Sequence, residues 1–88
     1  MTFFVDFSNQ AKEDVLYFQK SGNKVILQKI KHLIIDIKEN PFTGIGKPEP
    51  LKYNLLGLWS RRINREHRLI YEVKEEYITI LSLKGHYE

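Results

Sequence analysis

A proline-flanked glutamate and a histidine near the C-terminus are the residues of this sequence best suited to acid–base chemistry. Glu49 stands between Pro48 and Pro50, whose rings restrict the backbone, so its carboxylate is held on a stiff segment. Rigid presentation suits a general base, although a plain structural turn explains the same pattern equally well. His86 could donate a proton near neutral pH, or it could be a mobile residue of the tail. Both interpretations remain open, and the functional one predicts a proton-transfer site.

Basic residues concentrate in one stretch of the chain, and this stretch contains every arginine. Residues 52–68 carry a formal charge of +4, whereas the whole chain carries +3. Guanidinium groups match phosphate oxygens in pairs, so an arginine-rich stretch in a balanced chain favours a phosphate-binding surface. A solvated charged face is the alternative. The candidate phosphate contacts in this stretch are Lys52, Arg61, Arg62, Arg65 and Arg68.

The composition is that of a single globular domain spanning residues 1–88. Apolar residues make up 42% and charged residues 28%, which excludes a disordered chain, and no apolar run is long enough to cross a bilayer. With no cysteine and no signal-peptide pattern, the expected location is the cytoplasm. The three histidines lie far apart and lack ligand-type partners at helical spacing, so neither a metal site nor a cofactor is expected.

The order of hydrophobic patterns along the chain predicts an α+β fold. Apolar residues recur with a 3.6-residue period from Ile26 to Ile37, which indicates an amphipathic helix that ends at Asn40-Pro41. An ordered loop follows at residues 42–50, and short turns join the last three strands as antiparallel neighbours. The order β-α-α-β-β-β predicts two helices packed on one twisted, mainly antiparallel four-stranded sheet. The other predicted elements are a helix at Gln10–Gln19 and strands at Thr2–Phe7, Leu58–Ile63, Leu69–Val73 and Tyr77–Ser82.

Strand alternation divides the arginines between the two faces of the predicted sheet. Leu69 and Tyr71 are assigned to the core face, so Arg68 lies on the opposite, outer face. The same alternation in the preceding strand puts Arg62 on the outer face beside Arg68. Arg61 then falls on the apolar side, where we expect it at a margin of the sheet with its head in water. The outer face is therefore the predicted phosphate-binding surface.

Three motifs occur together in the second half of the chain, at defined spacings. With the order of helices and strands, they closely resemble the YoeB (Txe) family of toxins within the wider RelE/ParE group, and the resemblance covers essentially the whole chain. The motifs that carry it are Asn40-Pro41-Phe42-x-Gly44-x-Gly46-Lys47-Pro48-Glu49-Pro50-Leu51-Lys52 with Trp59-Ser60-Arg61-Arg62-Ile63, then Glu66-His67-Arg68-Leu69-x-Tyr71, and the terminal His86-Tyr87.

The resemblance implies a RelE/ParE-like fold and an endoribonuclease that enters the A site of the 30S ribosomal subunit and cleaves mRNA there. It also implies a cognate antitoxin of the YefM (Phd-like) kind and a tendency to form homodimers. By matching position, it implies that Glu49 is the general base, Arg68 the phosphate-stabilising cation and His86 the general acid. The supporting phosphate contacts that it implies are Lys52, Arg62 and Tyr87.

The chemistry implied for these residues uses the nucleophile that RNA itself carries. The ribose 2′-hydroxyl attacks the adjacent phosphate once its proton is removed, and the 5′-oxygen leaves with a proton from the acid. The products are a 2′,3′-cyclic phosphate and a 5′-hydroxyl, no metal is needed, and DNA is expected to resist cleavage. One departure from the family pattern is Glu88, which follows His86-Tyr87 and adds negative charge at the terminus.

Two non-catalytic functions compete with the nuclease hypothesis. The first is a ParE-like inhibitor of DNA gyrase, which shares the fold and an antitoxin but performs no chemistry. The second is an RNA-binding or ribosome-binding module whose arginines only neutralise phosphates. The glutamate of the Pro-Glu-Pro motif and the His-Tyr ending favour the nuclease over both.

Overall fold

The computed structural model of the chain describes residues 2–52 and 57–85. It confirms the predicted α+β class, with two helices packed against one sheet. None of the helices in these two ranges is long and apolar enough to cross a membrane. The elements are β1 (Phe4–Phe7), α1 (Asn9–Lys20), α2 (Lys24–Glu39), β2 (Glu49–Pro50), β3 (Leu58–Arg62), β4 (Arg68–Lys74) and β5 (Tyr77–Ser82).

Both helices begin at a polar side chain that caps their first turn. The Ser8 hydroxyl accepts a hydrogen bond from the backbone N–H of Ala11 (3.1 Å), and the Asn23 side chain accepts one from Ile26 (3.1 Å). Each cap satisfies a donor that has no partner inside its helix. The apolar stripe of α2 faces the sheet as its period predicts, and its buried members are Ile26, Ile30, Leu33 and Ile37.

The sheet has five strands in the order β1-β5-β4-β3-β2, one more than the sequence predicted. The additional strand, β2, is the end of the segment predicted to be a loop, and it pairs antiparallel with β3. Its edge position suits proline, which has no N–H to donate to a second neighbour. The pairing continues past β2, where Leu51 N–H donates to the Leu58 carbonyl (2.9 Å). Among the strands of the described residues, β1 and β5 alone pair in parallel, so the sheet is mainly antiparallel as predicted.

Arg61 lies on the helix side of the sheet as strand alternation predicted, but the expectation that its head reaches water is wrong. Its side chain is 0% exposed, and each of its five guanidinium N–H groups has an acceptor. With no donor left for a phosphate, its predicted role as a phosphate contact is also wrong. Its acceptors are the Tyr71 hydroxyl (3.2 Å), the Asp36 carboxylate (2.5 Å) and the carbonyls of Asn40, Thr43 (2.9 Å) and Ile45 (3.1 Å).

The Arg61-bound loop, residues 40–46, is fixed against α2 and β3. A Cβ on Gly44 would lie 1.9 Å from Oδ2 of Asp36, and a Cβ on Gly46 would lie 2.7 Å from Cδ2 of Leu33. Both glycines also have positive φ, which side chains disfavour. The Gly46 carbonyl accepts a 2.7 Å hydrogen bond from the Arg62 backbone N–H, so the loop enters β2 in a fixed register.

Candidate active site

The pairing of β2, β3 and β4 places the predicted base and the predicted phosphate-binding arginines on one face of the sheet. Glu49 pairs with Ser60, and Arg62 pairs with Arg68. Directly paired residues of antiparallel strands project to the same side, and so do residues two apart on one strand. Glu49, Arg62 and Arg68 therefore share the outer face, opposite the helices. This confirms the shared face predicted for the two arginines.

The register also sets the separation of Glu49 and Arg68. Two strand spacings of about 4.8 Å and two residues of about 3.3 Å rise put their Cα atoms roughly 12 Å apart. A gap of this size leaves room for a bound group between the two extended side chains. Glu49 is exposed, and within residues 2–52 and 57–85 its carboxylate has no hydrogen-bond or ion-pair partner.

Cationic side chains line an open cleft at the end of β3, next to the outer face. The cleft has a volume of about 400 Å³ and lies between α2, the Arg61-bound loop and the β3–β4 turn. No acidic residue is present in the part of its lining that the structure describes. Among the described residues its five cations form no ion pair, so their charge is available to an anionic ligand. These cations are Lys29, Lys47, Arg62, Arg65 and Arg68.

The cleft contains three of the predicted phosphate contacts and two lysines that the sequence analysis missed. Lys47 precedes the Pro-Glu-Pro motif, so its proximity to Glu49 was a usable signal. Lys29 lies on α2, and its approach to the cleft depends on how that helix packs, which no local pattern reveals. Lys52 is exposed and follows β2, outside the cleft lining.

Arg68 is held by the turn that precedes it. Its Nη1 donates to the carbonyls of Asn64 (2.9 Å) and His67 (3.3 Å). The remaining three guanidinium N–H groups have no acceptor in the part of the chain that the structure describes. The turn is itself braced by the Asn64 side chain, which accepts hydrogen bonds from the N–H groups of Glu66 (2.9 Å) and His67 (2.8 Å). One nitrogen of the Arg68 guanidinium is thus held by the turn, and its other donors are free among the described residues. A phosphate-binding arginine requires this combination.

The chain that follows β5 is drawn toward the start of β4. Leu83 N–H donates to the buried Asp14 carboxylate (2.8 Å), and Gly85 N–H donates to Nδ1 of His67 (2.9 Å). The Gly85 carbonyl accepts a 2.7 Å hydrogen bond from the backbone N–H of Arg68. The His67 ring is therefore hydrogen-bonded to the chain that follows β5 and not to its own turn. The predictions for His86 and Tyr87 lie outside the described residues.

The Arg61 network sets the ionisation of two groups behind the outer face. Burial acts to raise the pKa of Asp36, but hydrogen bonds from Arg61 and from the Ile45 N–H, with the guanidinium charge, outweigh it and lower that pKa. Burial raises the pKa of the Tyr71 phenol, and Arg61 offsets part of the effect. Asp36 thus stays ionised and paired with Arg61 at neutral pH, which keeps the loop before Glu49 in place.

Comparison with known proteins gives consistent matches over nearly the whole chain. The model of the YoeB-like toxin of bacterial type II toxin–antitoxin systems matches residues 7–87. The chain is 48% identical over 80 residues to toxin YoeB of Escherichia coli K12, which covers 91% of this chain and 94% of that protein. The YoeB dimer of Staphylococcus aureus matches with a TM-score of 0.88 and 49% identity over 99% of this chain and all of that one. The heterotetrameric YoeB–YefM toxin–antitoxin complex of S. aureus matches with a TM-score of 0.84 and 49% identity, over 99% of this chain and 100% of that chain.

Proposed function

Because the chain belongs to the YoeB-like toxins of bacterial type II toxin–antitoxin systems, we propose that it is a ribosome-dependent, metal-independent endoribonuclease that cleaves mRNA. The observation that carries the proposal is the shared outer face, on which the Glu49 carboxylate, unpaired among the described residues, lies across from Arg68. Beside it is a cleft whose described ionisable lining residues are all basic. A surface that only neutralised phosphates would need the cations but not the carboxylate. The carboxylate supplies the base that cleavage requires.

In the proposed reaction, Glu49 removes the proton of the ribose 2′-hydroxyl and the resulting oxygen attacks the adjacent phosphorus. Arg68 donates hydrogen bonds to the phosphoryl oxygens as negative charge builds on them. His86 protonates the departing 5′-oxygen. A positioned acid or base contributes about 10²–10⁴-fold to a rate, and one well-placed donor to an oxyanion contributes about 3–4 kcal/mol. The products are a 2′,3′-cyclic phosphate and a 5′-hydroxyl.

The cleft binds the RNA backbone in this proposal. Its five cations neutralise phosphates on either side of the cut, and Lys52 and Tyr87 contact the RNA next to the scissile phosphate. Lys29 and Lys47 extend the predicted set of phosphate contacts toward α2. Arg61 is excluded from the set, since its donors are all used inside the protein.

The partners we propose follow from the relatives. The S. aureus protein is described as a YoeB dimer and as part of a YoeB–YefM toxin–antitoxin heterotetramer. At 49% identity and full coverage, we propose the same arrangement here: a homodimer inhibited by a YefM-like antitoxin. The 30S subunit and its A-site mRNA are the proposed targets, and the cytoplasm is therefore the proposed location.

Mapping cuts on ribosome-bound mRNA tests the proposal. The purified toxin should cut at the A-site codon and leave 2′,3′-cyclic phosphate termini, the product of attack by the 2′-hydroxyl. Glu49→Gln and Arg68→Ala should each lower the cleavage rate by about 10²-fold or more while the variants stay folded. Arg62→Lys keeps the charge of the cleft and serves as a control with a smaller loss. Cleavage by Arg68→Ala at the wild-type rate would contradict the assigned role, and the absence of any cut by the wild type would contradict the function.

A further inference from the structure

His67 occupies a position that its turn alone does not require. Its side chain is buried, with the residue 8% exposed, and its ring packs edge-on against Phe18 with 5.1 Å between the ring centres. Nδ1 of this buried ring accepts the hydrogen bond from the Gly85 N–H. The contact joins residues 18 positions apart and lies one residue before His86. His67 therefore links the β3–β4 turn to the root of the C-terminal tail.

The direction of this hydrogen bond specifies the state of the imidazole. A backbone N–H can only donate, so Nδ1 must present its lone pair, and the neutral ring carries its proton on Nε2. Nε2 lies 3.8 Å from Oε1 of Glu66. Protonation of Nδ1 would set two N–H groups against each other and break the link to Gly85.

Gly85 is held from both sides of its peptide unit. Its N–H is bound by the His67 ring, and its carbonyl is bound by the backbone of Arg68, the residue next to His67. With φ at +79°, Gly85 also turns the chain in a way that other residues disfavour. These two hydrogen bonds fix the Gly85 peptide unit at the start of β4, next to the arginine proposed to bind the scissile phosphate.

We propose that His67 is a positioning residue: by binding the Gly85 amide, its neutral imidazole holds Gly85 beside Arg68, and the catalytic action of His86, the next residue in the sequence, depends on this contact. This role rests on the proposed nuclease function, in which His86 is the general acid. A proton donor must lie within hydrogen-bond distance of its acceptor, and a misplacement of about 1 Å can cost about 10²-fold in rate. The neighbouring turn fixes Arg68, so His67 and Arg68 together hold Gly85 at the start of β4.

A pair of substitutions separates the acceptor from the bulk of the ring. His67→Asn places an amide oxygen near the position of Nδ1 and so keeps the hydrogen-bond acceptor. His67→Leu keeps an apolar group against Phe18 but removes the acceptor. On ribosome-bound mRNA, we expect His67→Leu to lower kcat by about 10²-fold with little change in KM, and His67→Asn to stay close to wild type. His67→Gln, whose acceptor lies beyond the Nδ1 position, replaces His67→Leu if that variant does not fold.

The amide signal of Gly85 in ¹⁵N-labelled protein gives a readout that does not depend on activity. We expect its hydrogen exchange to accelerate in His67→Leu and to stay slow in His67→Asn, with circular dichroism unchanged. Equal kcat and equal Gly85 exchange in wild type and His67→Leu would overturn the positioning role while leaving the nuclease intact. A wild-type protein that cuts no mRNA would overturn the proposed function itself, and with it the alignment of a general acid.

Discussion

Arg61 and Arg62 are neighbours on β3, yet the two side chains have opposite environments. Arg61 points to the helix side, where it is 0% exposed and every donor is bound by protein oxygens. Arg62 points to the outer face, where it is exposed and lines the basic cleft. The alternation of a strand thus places one arginine in the interior and the next at the surface of the cleft. The net charge of the segment does not predict which of the two arginines is buried, whereas the alternation of the strand does.

Removing each arginine in turn is expected to give the largest contrast. Arg61→Ala leaves Asp36 and three loop carbonyls without their donor, and breaking a buried ion pair costs about 3–5 kcal/mol. We expect the lower end, about 3 kcal/mol, because the Asp36 side chain keeps 25% of its exposure to water. Arg62→Ala is the matched control, with an expected change within about 0.5 kcal/mol. Urea unfolding followed by circular dichroism measures both, and equal losses would contradict the assignment.

Acid is expected to weaken the helix side of this comparison selectively. The pKa of Asp36 is lowered in the folded state, so the pair stabilises the protein above the ordinary value of 3.8 and loses this contribution as the pH falls below it. Asp36→Asn should therefore be less stable than wild type at pH 7, with the difference shrinking toward pH 3. Thermal melting of both proteins across this range measures the effect. A difference that does not change with pH would show that the charge of Asp36 contributes nothing.

The smallest expected effects belong to the lysines of the cleft. The slope of log affinity against log salt is negative for a single-stranded oligonucleotide. Lys29→Ala and Lys47→Ala should each make it shallower by about 0.7. Lys31→Ala, an exposed lysine of α2 outside the cleft, is the control with the same loss of net charge. Fluorescence anisotropy of a labelled 2′-deoxy oligonucleotide measures the three slopes. An equal reduction by Lys31→Ala would mean that overall charge, not the cleft, binds the strand.

Local patterns were sufficient to predict the two helices and the faces of β3 and β4. The period of α2 and the alternation of β4 are repeated signals, so each buried position supports the next. The two-residue strand β2 was missed because it is defined by its pairing with β3, a contact between residues that are distant in sequence. Its two prolines also indicated a loop. The burial of Arg61 was missed for a related reason. Three of its five acceptors are backbone carbonyls of the Arg61-bound loop, and because every residue type carries such a carbonyl, the sequence does not indicate them.

The candidate site was predicted in part. Glu49 and Arg68 could be proposed because unusual sequence context and strand parity mark them. Lys29 could not, since its approach to the cleft depends on how α2 lies against Gly46 and the sheet. The link between His67 and Gly85 was equally hidden, because a ring nitrogen and a backbone amide meet only after β4 and β5 have paired.

The most direct test of the central claim removes one 2′-hydroxyl group from the substrate and leaves the protein unchanged. Ribosome-bound mRNA with a single 2′-deoxyribose at the cut site is compared with the same mRNA carrying ribose there. If the outer face of β2, β3 and β4 activates the 2′-hydroxyl, the ribose substrate is cut at the A-site codon and the deoxy substrate stays intact. Cleavage of the deoxy substrate at the same position would contradict the proposed chemistry.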